Sequence, residues 1–141
     1  MRDILFRGKR KDNGEWVEGY VVHQTDFYGD KVDRYFIIDG TETNDYDIGP
    51  AYEVIPETVG QYTGLKDKNG TKIFEGDILS GLFLFGMEVK AVCAFRDGAF
   101  GALWQRGNIE VFNAFTSVCN VKWEILGNTH DNPELMEKAN G

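Results

Sequence analysis

The chain has 141 residues, of which 15 are Lys or Arg and 23 are Asp or Glu, giving a formal net charge of −8. That length suits one domain or two small fused barrels, and it buries enough surface to fold without metal or disulfide. Hydrophobic residues at 42% exclude a wholly disordered chain, and the longest apolar stretch, Ile78 to Met87, is too short and too interrupted to span a bilayer.

The 17 glycines, 10 Phe, 6 Tyr and 3 Trp, against only 3 prolines, favour short strands joined by tight turns. Ile4 to Phe6 is a short apolar strand. Asp12-Asn13-Gly14 follows as a tight turn, since Asn-Gly supplies the positive φ of a type I′ hairpin. Glu15 to Val22 then alternates, with Trp16, Glu18, Tyr20 and Val22 on one face and Val17, Gly19 and Val21 on the other. Gln24 to Lys31 is polar and turn-rich. Arg34 to Asp39 forms a strand whose Tyr35-Phe36-Ile37-Ile38 is apolar on both faces, which predicts a central position. Gly40 to Gly49 is a loop, Tyr52 to Ile55 resumes a strand, and Pro56 ends it by removing a backbone donor.

Val59 to Thr63 and Thr71 to Phe74 flank Asp67-Lys68-Asn69-Gly70, the clearest hairpin in the sequence. Glu75-Gly76-Asp77 bends the chain into Ile78 to Phe85. Val89 to Phe95 and Ala99 to Trp104 pair across Asp97-Gly98, and Ile109 to Phe112 follows. Val121 to Leu126 closes the β region, with Gly127 as its terminator. Phe112 to Val118 is one helical turn or a loop. Asn132 caps a short turn of helix with Pro133 at its first position. The expected fold is mainly β with at most short helical turns. Residues 1–58 form an N-terminal β-hairpin subdomain and 59–141 an SH3-like small barrel, the two being separate or continuous.

Three segments carry a family resemblance. The first is Met1-Arg2-Asp3-Ile4-Leu5-Phe6-Arg7-Gly8-Lys9-Arg10 with Gly14-Glu15-Trp16-Val17 and Gly19-Tyr20. The second runs from Pro56-Glu57-Thr58-Val59-Gly60-Gln61-Tyr62-Thr63-Gly64-Leu65 through Asp67-Lys68-Asn69-Gly70 to Lys72-Ile73-Phe74-Glu75-Gly76-Asp77-Ile78. The third is Gly127-Asn128-Thr129-His130-Asp131-Asn132-Pro133-Glu134-Leu135. In this order they resemble the YopX family of small phage and prophage proteins. The resemblance implies a mainly β protein acting in the host cytoplasm, with no established activity and no catalytic residue to carry over.

The residues themselves specify little chemistry. Cys93 and Cys119 lie among apolar neighbours and are read as reduced thiols packed as small hydrophobes. His23 and His130 lie far from them, no CxxC or HxxxH spacing exists, and no metal or cofactor is expected. Glu75 and Asp77 could act as an acid pair, but no histidine or nucleophile stands beside them. Asp77 is read as holding a corner by accepting backbone N–H bonds. Asp39, Glu42, Asp45, Asp47, Glu53 and Glu57 form a solvated acidic stretch without calcium-loop spacing. No glycine-rich nucleotide loop is present, and with no catalytic constellation in the sequence no enzyme is expected.

The candidate interaction surface is Arg7, Lys9, Arg10 and Lys11 with Trp16 and Tyr20. Cations interleaved with aromatics can hold phosphates and stack bases, but the net charge of −8 opposes general nucleic-acid affinity. The first reading is therefore a protein–protein interaction module for a host or phage protein. A nucleic-acid-associated SH3-like barrel stands second and an unrecognised enzyme third. The basic cluster and the acidic stretch are expected to form opposite electrostatic poles. Self-association through edge strands is a further option, and no membrane partner is expected.

Overall fold

The computed structural model describes residues 4–39, 49–83, 86–117 and 121–136. The chain divides into two compact units, Met1–Tyr62 and Thr63–Gly141. Among the described residues helical structure is confined to 3-10 turns, including Pro56–Thr58, Phe115–Ser117 and Pro133–Met136. None of it is long and apolar enough to cross a membrane.

The first unit contains β1 (Phe6–Lys9), β2 (Trp16–Phe27), β3 (Asp30–Ile38), β4 (Ala51–Val54) and the start of β5 (Gly60–Lys66). They pair antiparallel in the order β4-β3-β2-β1-β5. β1 sits further along the chain than the expected Ile4 to Phe6, because Phe6 to Lys9 pair with Gly19 to Trp16. The loop after it is not a type I′ turn. The Arg10 N–H donates to the Glu15 carbonyl and the Gly14 N–H to the Arg10 carbonyl. Gly14 alone has positive φ there, +72°, whereas a type I′ turn needs two such residues in succession.

Two successive positive φ values occur instead at Tyr28 (51°) and Gly29 (87°), between the paired residues Phe27 and Asp30. The polar 24–31 segment, expected as turn-rich, is therefore the distal end of a long hairpin. Thr25 to Lys31 are all exposed, so this part pairs through its backbone and shows no apolar alternation. β3 does lie centrally, between β2 and β4, and Ile37 and Val54 are fully buried. β1 packs closely on Val54 because Gly8 has no side chain, and a Cβ there would lie 3.0 Å from the Val54 Cβ.

The second unit takes the rest of β5 with β6 (Lys72–Phe74), β7 (Asp77–Leu82), β8 (Glu88–Arg96), β9 (Ala99–Arg106), β10 (Ile109–Ala114) and β11 (Trp123–Asn128). Five of these form an antiparallel sheet in the order β10-β9-β8-β7-β11. Ile73, Leu79, Val89, Ala91, Cys93, Ala102, Phe115 and Trp123 make its core. Cys93 is thus packed as a small hydrophobe, opposite Ala102, while Cys119 lies outside the described residues. Asp97-Gly98 turns the β8–β9 hairpin with φ of 50° and 80°, as the sequence predicts.

Gly127 does not end β11. The strand runs on to Asn128, with a register shift between Ile125 and Gly127. Asn132 packs against Gly127, where any Cβ would collide with its carboxamide oxygen. That oxygen accepts the Asn128 N–H at 3.2 Å, so the Asn132 side chain reaches back to the strand, while its carbonyl accepts the Leu135 N–H at 3.0 Å and starts a 3-10 turn with Pro133 at its first position. Asp77 holds its corner as expected. It is 2% exposed, and its carboxylate accepts the Phe74 N–H at 2.8 Å.

Candidate interaction face of the first unit

Directly opposed residues of an antiparallel ladder share a face of the sheet. Lys9 opposes Trp16, Arg7 opposes Glu18, Tyr20 opposes Ile38, and Val22 opposes Phe36. Ile38 and Phe36 in turn oppose Ala51 and Glu53. One face therefore gathers Arg7, Lys9, Trp16 and Tyr20 of the predicted surface with Val22, Phe36, Ile38 and Ala51. The opposite face carries the buried Ile37 and Val54.

The cations on this face lie against its rings. The Arg7 guanidinium carbon is 4.7 Å and the Lys9 ammonium 5.9 Å from the Trp16 ring centroid, and Arg34 sits 4.9 Å over Phe36. Each such contact contributes about 0.5–1 kcal/mol at an exposed site and restricts a long side chain. Tyr20 and Val22 remain 59% and 43% exposed. Val22, Phe36, Ile38 and Ala51, with His23 and Gln24, line a depression of about 440 Å³.

Arg10 and Lys11 are engaged differently. Arg10 holds Asp12 through two hydrogen bonds of 2.6 and 2.9 Å and lies 4.3 Å over Tyr52. Lys11 reaches Glu53 at 3.0 Å, and Arg34 reaches the same carboxylate at 2.8 Å. Hydrogen bonds from Arg34 and then Lys11 push the Glu53 pKa down to about 2. The basic and acidic segments are therefore not segregated poles. An isolated bridge between Arg10 and Val54 brings the start of the β1–β2 loop beside β4 and so sets Lys11 against Glu53. Glu42, Asp45 and Asp47 lie outside the described residues.

His23 Nε2 contacts Asp33 Oδ1 at 2.5 Å and its ring stacks on Tyr35, while His130 is exposed in the turn after β11. Sequence reasoning missed Asp67, taken only as the start of a turn. Its Oδ1 accepts the N–H groups of Asn69 and Thr71, and its Oδ2 that of Ile125. Burial pushes its pKa up, but the three hydrogen bonds and nearby Lys68 outweigh burial and hold it below the usual carboxylate range. An aspartate two residues before Asn-Gly is the local part of that signal.

The family model described as YopX protein matches residues 5–137. The chain is also similar to the crystal structure of protein EF1440 from Enterococcus faecalis. That match has 27% sequence identity and a TM-score of 0.52, and covers 97% of this chain and 100% of that one. No curated protein matches.

Proposed function

The chain belongs to the YopX family, and from that premise we propose that it is a phage or prophage accessory protein that binds a host or phage protein in the host cytoplasm. The reading assigns it no catalytic role. Its contact surface is the exposed sheet face of the first unit, and the observation that carries it is the composition of that face. Exposed Tyr20 and Val22 adjoin an apolar depression, and Arg7, Lys9 and Arg34 lie on aromatic rings of the same face. Aromatic and arginine anchors around an apolar centre are what protein hot spots are made of. Glu18 and Glu53 stand on the same face, which weakens the case for phosphate neutralisation. The five-stranded order of the second unit supports reading that unit as an SH3-like small barrel.

The test is affinity capture from host cells with and without nuclease treatment. Retention of the same protein after nuclease supports the reading. Loss of all bound material after nuclease, or capture of nucleic acid alone, contradicts it.

A further inference from the structure

The second unit contains a pocket that the first unit's face does not explain. It measures about 390 Å³, within the size range of ligand sites, and Ile73, Phe115 and Trp123 form its floor. Lys66, Lys68 and Lys122 stand at its rim. Lys68 pairs with Glu124 at 3.3 Å. Among the described residues Lys66 and Lys122 have no ion-pair partner, in a chain with eight more acids than bases.

The rim is built in place. Asp67, between two of the lysines, is fixed to β11 through Ile125, and the Lys68 N–H donates to the Trp123 carbonyl at 2.8 Å. With its carboxylate already accepting three N–H groups, Asp67 offers little to a ligand and leaves the rim cationic. Preorganised cations around an apolar floor suit a group that is apolar at its tip and anionic beside it.

We infer that this pocket binds an acidic peptide segment of a partner protein, which inserts one apolar side chain over Trp123 and places its carboxylates on Lys66 and Lys122. A nucleotide fits less well. Phe115 and Trp123 are each only 6% exposed, which leaves contact for the tip of one side chain but not the open ring face on which a whole base stacks.

The experiment selects a displayed library of random ten-residue peptides on the full chain and, in parallel, on the Lys66→Glu, Lys122→Glu double variant. Both substituted residues are exposed, and unchanged melting of the variant confirms its fold. Wild type should enrich peptides with one large apolar residue beside Asp or Glu. A labelled enriched peptide should shift the Trp123 indole N–H resonance, bind at least tenfold more weakly to the double variant, and weaken as salt rises. The inference is overturned by absence of enrichment, by equal enrichment on the variant, or by peptides without acids. A shift of the Trp123 resonance by an oligothymidine but by no selected peptide overturns it as well.

Discussion

The Asp67 carboxylate accepts the Ile125 N–H at 3.0 Å across 58 residues of sequence, tying the turn after β5 to the edge strand β11. The same side chain closes its own turn through Asn69 and Thr71. One buried carboxylate thus completes the local hairpin and joins two distant segments of the second unit.

Replacing Asp67 with Ala leaves three N–H groups without their acceptor. The expected loss is about 2–4 kcal/mol, since donors deprived of a charged partner carry their desolvation penalty. Urea unfolding measures it, and a change below about 0.5 kcal/mol, the scale of ordinary surface substitutions, would contradict the assignment. Asp67→Asn should recover part of the loss, because an amide oxygen still accepts while the charge is gone.

Glu53 gives a pH dependence of definite sign. Its ordinary pKa of 4.5 falls to about 2 in the folded chain, so its ion pairs with Arg34 and Lys11 stabilise fully above 4.5. That contribution is lost as pH falls through about 2. The difference in unfolding midpoint between wild type and Glu53→Gln should be largest near neutrality and should close over this window. A difference that stays constant with pH would contradict it.

Tyr28 adopts φ of 51° while 93% exposed, a conformation that costs most L-residues about 1–2 kcal/mol. Asn tolerates that region better, so Tyr28→Asn should stabilise the chain by about 0.5–1 kcal/mol. Destabilisation by the substitution would mean that the Phe27–Tyr28 ring contact outweighs the backbone strain.

Two glycines separate backbone from steric requirements. Gly70 has φ of +85° with open space around it, so Gly70→Ala costs about 1–2 kcal/mol through the backbone alone. At Gly81 a Cβ would lie 2.5 Å from the Trp123 ring, so Gly81→Ala costs about 1–3 kcal/mol through overpacking. Near-UV circular dichroism distinguishes them. Gly81→Ala should alter the tryptophan signal and Gly70→Ala should not.

The legible parts of this fold are those encoded locally. Asp97-Gly98 announces its turn by residue type, and Ile37 announces its burial by an apolar run on both faces of β3. Asp77 acts within three residues of itself, so its corner is readable. The far end of the β2–β3 hairpin was not, because its exposed strands show no apolar alternation and its turn is Tyr28-Gly29 without the usual Asn or Asp. The Asp67–Ile125 bond joins residues whose proximity no local pattern encodes. The candidate interaction face was half legible. Alternation placed Trp16, Tyr20 and Val22 together, but only the ladder register adds Phe36, Ile38 and Ala51 and sets Lys11 on Glu53.

The measurement closest to the central claim is capture of the partner by wild type and by the Tyr20→Glu, Val22→Glu double variant. Both side chains are exposed on the face, whereas Arg10 is tied to Asp12 and Tyr52 and would confound a charge reversal. With melting temperature unchanged, the variant should lose the nuclease-resistant partner that wild type retains. Equal capture by both proteins would contradict the claim that this face makes the contact.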